Sequence, residues 1–501
     1  MKFICFKNGK CKSYEISEAM EDNSEHDMIS KYTGHIGEWN LVWVGIISLL
    51  QITFGLQTFA FPFQTVNKDF WCAGLPSTPF SSENSSLNSC VFEGDDPSLP
   101  PAKCSNFEFS HEYYGTTIIE DFNLVCDRKY LIASVETCGI LGTVLASVIS
   151  GWISDKYGRK PILMISLFLQ VSLGTLLAFS NTLVMLMILR VLVGFATSSV
   201  FILNDVLVME LVSPKYRSAV GILNMMMICV GNVILAGAAY LERDWRNLQI
   251  MITAPWIILL LTWYCIPESP RWLLAMEKYD QLMDLLKRMS KVNHKTLPSD
   301  IREILEKSPK EVENNKELNL FKEVFSKPYF WKTVLLLLIY FTMGGIYVAL
   351  SLHLVGLGGD IYLNVAVSSL VEMFVTTLTI LFALKFEVGQ LIMYCMLACG
   401  ISLLSVNIVS ESWNWGVIAL AILARCLSGA SNNVINSYAA KLFPTHIRNF
   451  AIGLGYFSLG VSGVVTPYIW LLEHVYELLP LTIMGIYGIA AVFLLCIIEK
   501  L

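Results

Sequence analysis

The sequence predicts an all-α integral membrane protein whose twelve transmembrane helices form two six-helix bundles. Charged residues make up 15% of the chain and hydrophobic residues 54%, with a mean hydropathy of +0.57. A soluble protein usually has about a quarter charged residues. Residues 151–161 form a short basic bridge between two long apolar stretches, which is typical of a tight turn at a membrane surface.

A helix needs about 20 apolar residues to cross roughly 30 Å of hydrocarbon. Stretches that meet this length fall into two sets of six, separated by the polar segment 267–330. The predicted spans are 41–63, 131–153, 162–179, 182–209, 218–240, 248–266, 333–355, 362–384, 390–409, 414–436, 450–472 and 478–498.

These spans divide the chain into an N-terminal bundle and a C-terminal bundle joined by a helical linker. The linker has a leucine stripe over 273–286, a helix start near 299–307 and an amphipathic segment near 317–326. The predicted segments are a tail at 1–40, the first bundle at 41–266 with a large loop at 64–130, the linker at 267–330, the second bundle at 331–498 and the C-terminus at 499–501.

The orientation follows from the basic residues in the short loops, because Lys and Arg favour the cytosolic side. We therefore expect both termini and the linker in the cytosol, the loop 64–130 outside, and a location in the plasma membrane. The tails and loops carry most of the net charge of −6, which argues against a nucleic-acid partner. The basic residues on one side are Lys156, Arg159, Lys160, Lys215, Arg217, Lys441 and Arg448.

The loop 64–130 has the features of an extracellular segment. It contains an Asn-x-Ser sequon at Asn84, which predicts a glycan. It also contains four cysteines, which allow two disulfides in any of three pairings. These cysteines are Cys72, Cys90, Cys104 and Cys126.

Enzyme chemistry is not indicated. His111-Glu112 begins like a zinc-protease motif but lacks the second histidine, and neither a nucleophile elbow nor a phosphate-binding loop occurs. No zinc-ligand spacing occurs among the cysteines. We therefore expect no catalytic residues, metal or cofactor.

Several motifs together resemble a known family. Residues 151–160 resemble the signature loop of the major facilitator superfamily, and 267–274 resemble its sugar and organic-ion branch. Residues 245–249 are similar to the organic cation/anion transporters of solute carrier family 22. The resemblance implies a substrate site near the midplane between two bundles, with access that alternates between the two sides.

The resemblance also implies a gating network at the cytosolic ends of the helices. Asp155 is expected to meet helix-end amides and neighbouring arginines in one conformation and to release them in another. The second half departs from the pattern, since 386–390 lacks the expected Asp-x-x-Gly-Arg loop. The candidate gating residues are Asp155, Arg159, Glu210, Arg217, Glu268, Arg271 and Arg448.

Ionisable residues inside spans are costly and often functional. Glu372, near the middle of the eighth span, is the leading candidate for binding a cationic substrate, with a structural ion pair as the alternative. Asp205 stands where the family has a tyrosine and is either a second cation-attracting group, a proton-coupling group or a partner of a gate arginine. Arg190 and Arg425 recur at matching places in the two halves, which favours architectural roles.

Aromatic and amide side chains complete the predicted site. Tyr340 and Tyr347 are seven residues apart on one face of the seventh span and, with Phe201, match aromatic contact positions of the family. Asn433 is a candidate neutral contact. Gly460 stands where cation carriers of the family tend to have Asp and anion carriers Arg, so this position does not identify the charge of the solute.

The sequence thus favours a transporter of small organic cations or zwitterions, such as amines or amino-acid derivatives. An organic-anion exchanger is the alternative within transport. A non-transporting receptor or scaffold that retains the fold is the alternative outside it. The expected partners are the solute and the lipid bilayer, and a monomer is compatible with the sequence.

Overall fold

The structure of the chain is a computed structural model. It describes residues 4–5, 11–12, 37–74, 90–92, 102–104, 106–111, 113–213, 216–298, 300–307, 320–353, 359–383, 385–409, 414–476 and 478–500. The sequon at Asn84 lies outside these residues, so its glycosylation stays a prediction.

Among the described residues, twelve helices are long and apolar enough to cross a membrane, which confirms the predicted fold class. Their bounds are Glu38–Gln64, Cys126–Tyr157, Arg159–Leu177, Leu183–Glu210, Ala219–Leu241, Trp245–Tyr264, Phe330–His353, Ile361–Thr379, Val388–Ile408, Trp415–Leu442, Phe450–Glu473 and Leu479–Ile498. We refer to them as the first to twelfth spans.

Two spans are interrupted. The first is built from helices Glu38–Ser48, Leu50–Thr58 and Phe61–Gln64, the last of which has Pro62 in its first turn. The sixth changes from an α-helix to a 3₁₀-helix at Ala254, beside Pro255. Proline cannot donate a backbone hydrogen bond and clashes with the preceding turn, which accounts for the breaks beside Pro62 and Pro255. The break at Leu49 has no proline beside it.

The other spans have continuous α-helices. Short 3₁₀ turns extend the ninth span over Val406–Ile408 and the eleventh over Leu471–His474. These α-helices are Tyr130–Tyr157, Arg159–Leu177, Leu183–Glu210, Arg217–Leu241, Phe330–His353, Ile361–Ala383, Val388–Ser405, Asn414–Leu442, Thr445–Trp470 and Leu479–Ile498.

The linker forms short helices, of which the first three pack against the first bundle and the last against the second. The predicted stripe over 273–286 is divided between two helices, because Glu277 takes a left-handed backbone conformation with φ of 56°. Leucines of the linker share a buried cluster with Trp39 and Leu163 of the first bundle. The linker helices are Pro270–Ala275, Tyr279–Val292, Ile301–Lys307 and Leu320–Val324.

The loop after the first span is a small disulfide-bonded unit. Strand Phe70–Gly74 pairs antiparallel with Asn106–Phe109, and Val91–Phe92 pairs antiparallel with Ala102–Lys103. Of the three possible cysteine pairings, the structure has Cys72–Cys104 and Cys90–Cys126. A further two-stranded pair, Ile4–Cys5 with Cys11–Lys12, lies in the N-terminal tail.

The loop is fixed to the membrane helices by polar contacts. Its helix Ile118–Asp121 presents Asp121 Oδ2, which accepts hydrogen bonds from Trp245 Nε1 at 2.7 Å and Arg246 Nε at 3.0 Å. Lys68 Nζ lies 2.7 Å from Glu120 Oε2. We call this side of the protein the loop face, and the opposite side, which carries the turn at Gly158, the basic face.

One buried apolar cluster joins the two halves. It contains Phe59 and Phe63 from the first half and Leu352, Ile361 and Val365 from the second. All five lie at the loop-face ends of their helices. The halves therefore share apolar packing near the loop face.

Gly142 marks a close approach of the second and fourth spans. A Cβ atom at this position would lie 2.1 Å from Val191 O and 2.6 Å from Phe195 N. A contact this short with backbone atoms forces the helices apart. Gly139, three residues earlier on the same helix, has no atom within 4 Å of its Cβ position.

We expect Gly142→Ala to lower the free energy of unfolding by about 1–3 kcal/mol because of overpacking. Gly139→Ala is the matched control and should be neutral or slightly stabilising, since Ala favours a helix over Gly. The thermal unfolding midpoint of the detergent-solubilised protein measures the difference. Equal midpoints for the two variants would contradict the helix packing described here.

Candidate functional site

The basic face has a tight turn between the second and third spans. Gly158 ends the second helix with φ of 114°, a conformation that side chains with a Cβ rarely adopt, and Arg159 begins the next helix. Arg159 contacts Asp155, and its Nη2 lies 3.3 Å from Glu210 Oε1 at the end of the fourth span. The turn therefore joins the ends of three spans through one guanidinium.

Glu268 closes this arrangement from the linker. Its Oε1 accepts backbone hydrogen bonds from Arg159 at 3.0 Å, Lys160 at 3.1 Å and Ser269 at 3.0 Å. The N–H groups at the start of a helix lack intrahelical partners and favour a negative charge. We call Asp155, Arg159, Glu210 and Glu268 the clasp.

Asp155 has one of the two kinds of partner expected for it. Its side chain, which is 67% exposed, contacts the neighbouring Arg159, while Glu268 occupies the helix-end amides in this conformation. The reason is the path of the linker, which returns over the start of the third span. Trp272 supports this path, because its Nε1 donates to Asp155 O at 2.8 Å.

The other predicted gating residues lie at the edge of the clasp or outside it. Arg271 Nη2 donates to Val212 O at 3.3 Å and so ties the linker to the end of the fourth span. Among the described side chains, Glu210 pairs with Arg159 rather than with Arg217, and Arg448 makes no ion pair. The described part of the second half has no equivalent clasp, and Glu387 at the start of the ninth span is exposed.

Near the midplane, Glu372 is paired with an arginine. Its Oε2 lies 3.1 Å from Arg425 Nη2 of the tenth span, and the two side chains are only 5% and 3% exposed. The architectural role predicted for Arg425 is therefore incomplete. Its positive charge offsets the negative charge of Glu372, the leading candidate for cation binding. The structural ion pair was the alternative considered for Glu372.

Hydroxyl groups complete the surroundings of this pair. Arg425 Nε donates to Ser351 Oγ at 3.0 Å, and Nη1 donates to Ser368 Oγ at 2.7 Å. The Tyr347 ring lies 5.8 Å from the guanidinium. A cavity of about 10 Å³, room for roughly one water molecule, borders Arg425, both serines and Asn232 of the fifth span.

Tyr340 belongs to a different cluster from Tyr347. Its hydroxyl donates to Asn436 Oδ1 at 2.7 Å, and Asn436 Nδ2 donates to Tyr456 Oη at 2.6 Å. Tyr340 has no exposed surface and packs in the core of the second half. The two tyrosines, expected to act together, therefore lie in separate polar groups.

Asp205 lies across from this second cluster. Its Oδ1 accepts a hydrogen bond from Asn224 Nδ2 at 3.1 Å, and its charge acts on Tyr456. In the part of the chain that the structure describes, no cation lies within ion-pair distance of Asp205, so the suggested pairing with a gate arginine is absent there. The carboxylate of Asp205, which lies between the halves, thus has a neutral hydrogen-bond partner.

The remaining predicted contacts are aromatic or amide groups with protein partners. Phe201 stacks on Phe54 with ring centroids 4.5 Å apart. Asn433 Nδ2 donates to Thr376 Oγ1 at 3.2 Å. Both residues are partly buried, and neither is beside Asp205 in these contacts.

Gly460 is a packing position. A Cβ there would lie 2.6 Å from Val144 Cγ2 of the second span. The eleventh and second spans therefore approach closely at Gly460.

Sequence reasoning missed two polar residues inside the spans, Asn232 and Glu136. Asn232, like Asn432, has two buried side-chain atoms without a hydrogen-bond partner among the described residues. Glu136 of the second span faces His353 of the seventh. The available signal was a single polar residue within an otherwise apolar span.

Comparisons with known proteins agree with this architecture. The chain matches the sequence profile of the Major Facilitator Superfamily over residues 117–467. The xylose transporter XylE from E. coli, in an inward open conformation, shares the fold with a TM-score of 0.62 at 17% identity, covering 91% of this chain and 95% of that chain.

Two relatives are more similar in sequence. The organic cation transporter protein of Drosophila melanogaster is 32% identical over 395 residues, which is 77% of this chain and 72% of the relative. Human solute carrier family 22 member 2 is 30% identical over 399 residues, 78% of this chain and 70% of the relative. The chain therefore belongs to the major facilitator superfamily and, within it, to the organic cation transporter type of solute carrier family 22.

Proposed function

We propose that the protein carries small organic cations or zwitterions, such as amines or amino-acid derivatives, across a membrane by alternating access. The family membership supports transport, and the Drosophila relative is named for organic cations. The observation that carries the choice of charge is Asp205, a partly buried carboxylate between the halves whose hydrogen-bond partner is the neutral Asn224.

Asp205 is the better candidate for recognising a positive charge because Glu372 is already neutralised. Two opposite charges in contact cancel most of their field at a distance, whereas a carboxylate with an amide partner keeps its full charge. Burial increases the attraction between such a carboxylate and an ammonium group. Asp205 would therefore bind the cation in place of the acidic residue that cation carriers of the family tend to have at the position of Gly460.

Aromatic residues of both halves lie near Asp205. Tyr456 of the second half is close enough for the Asp205 charge to act on its hydroxyl, and its ring packs on the buried Tyr340. Phe201 of the first half lies four residues before Asp205 on the same helix and stacks on Phe54. Aromatic faces attract an onium group by about 0.5–2 kcal/mol each. Glu372, Arg425 and Tyr347 form a second polar region, in which the paired charges suit the two ends of a zwitterion. Asn433 stays a proposed neutral contact on the tenth span.

Opposite faces carry the contacts that would alternate. The clasp joins the second, third and fourth spans at the basic face, and Phe63 stacks on Tyr362 at the loop face with ring centroids 5.8 Å apart. We assign the basic face and both termini to the cytosol of a plasma-membrane protein, since its short loops are rich in Lys and Arg.

Among the described residues the clasp occurs only in the first half, and this asymmetry favours the receptor or scaffold alternative. A protein that binds solute without moving it would retain the site and lose the paired gates. Uptake of radiolabelled tetraethylammonium, glycine betaine and benzoate into proteoliposomes distinguishes these functions. Movement of benzoate alone would support an anion exchanger, and binding without uptake would support a receptor.

We expect Asp205→Asn to raise the KM for tetraethylammonium about tenfold, equivalent to about 1.4 kcal/mol of binding free energy. The amide keeps the size of the side chain and removes the negative charge. Glu387→Gln, which removes an exposed carboxylate elsewhere, is the matched control and should leave the KM unchanged. An unchanged KM in Asp205→Asn would refute the assignment of Asp205.

The Glu372–Arg425 pair leads to a different expectation. Glu372→Gln should lower the free energy of unfolding by about 3–5 kcal/mol, because it leaves a buried arginine without a counter-charge. Combining it with Arg425→Gln should restore most of the thermal unfolding midpoint, since neither buried side chain is then charged.

This coupling is tested by heating the two single variants and the double variant. Size-exclusion chromatography then measures the fraction that remains folded. Ser351→Ala is a control that removes one hydrogen bond to Arg425 without changing any charge. If Glu372→Gln unfolds like the wild type and only weakens tetraethylammonium uptake, Glu372 is a free binding group and the pair is not its main role.

A further inference from the structure

Glu136 and His353 face each other across the boundary between the two halves. Glu136 lies in the second span and His353 is the last residue of the helix Phe330–His353. His353 Nε2 is 3.8 Å from Glu136 Oε1, and the side chains are 20% and 6% exposed. Two titratable groups from different bundles thus meet in a buried position near the loop face.

These two atoms are also unsatisfied. Neither Glu136 Oε1 nor His353 Nε2 has a hydrogen-bond partner among the described residues. Their separation of 3.8 Å is longer than a hydrogen bond. A single proton between them, with a small approach of the helices, would satisfy both atoms at once.

The surroundings hold both groups in place. The imidazole stacks on Trp470 of the eleventh span, with centroids 4.2 Å apart and planes 6° apart. Arg190 of the fourth span is the charged group that acts on Glu136, and it is held by Gln64 and the Phe61 ring of the first span. The thiol of Cys138, on the same helix as Glu136, is also near Arg190.

We propose that Glu136 and His353 together form a proton-binding site, and that a proton bound there favours the state in which the loop face is closed. The inference rests on the proposed alternating access, since the two residues belong to different bundles and separate when the loop face opens. In the open state each side chain meets water and needs no shared proton. Because the closed state binds the proton more tightly, protonation must favour closing by the same factor.

The test measures closing directly and without any solute. Spin labels at positions 241 and 475, exposed sites of the two halves at the loop face, report the distance across that face in a background without other free cysteines. We expect the ratio of short to long distances in the wild type to rise at least threefold between pH 8 and pH 5.5. One proton limits the change to tenfold per pH unit.

His353→Gln and Glu136→Gln should each abolish this pH response, because neither amide titrates. Glu136→Asp keeps a carboxylate and should retain a response, which separates titration from a general loss of structure. Phe63→Leu weakens the aromatic contact with Tyr362 at the same boundary. It should favour long distances at every pH while keeping the dependence on pH.

A wild type without a pH response would overturn the proposal, as would a response that persists in either amide variant. Loss of the response in Phe63→Leu would also overturn it, since that residue does not titrate. The outcome is independent of the solute, so failure of tetraethylammonium uptake would count against the proposed function and leave the proton site standing.

Discussion

The structure depends on one constraint: a charge placed within the apolar spans must find its compensation inside the protein. Glu372 and Arg425 meet this requirement as an ion pair, with the remaining guanidinium donors on Ser351 and Ser368. Asp205 meets it only in part, through Asn224. Asp205 is the more informative of the two, because a charged group that the protein leaves partly unpaired is available to a ligand.

Hydropathy predicted the spans well because the membrane imposes a length and a composition on each of them. It could not predict the interruption of the sixth span at Pro255 with certainty, since prolines are also tolerated in kinked helices. The sequence around Glu277 does not indicate that a residue in a left-handed conformation divides the leucine stripe of the linker. The left-handed conformation of Glu277 follows from how the two helices pack on the first bundle.

The candidate site was less predictable because its partners are distant in sequence. Glu372 and Arg425 lie 53 positions apart along the chain, and only the packing of the eighth against the tenth span brings them together. Helical spacing correctly put Tyr340 and Tyr347 on one helix, yet the neighbours on the tenth and eleventh spans assign them to separate groups. Likewise, Glu268 replaced Asp155 at the helix-end amides because of the path of the linker.

The attachment of the linker has a mechanical consequence. Pro270–Ala275, Tyr279–Val292 and Ile301–Lys307 are packed on the first bundle, while Val324 is buried with residues of the second. The first three linker helices and Glu268 are thus attached to the first bundle and move together with it. In any relative rotation of the bundles, these described parts of the linker therefore act as part of a lever attached to the first bundle rather than as a hinge.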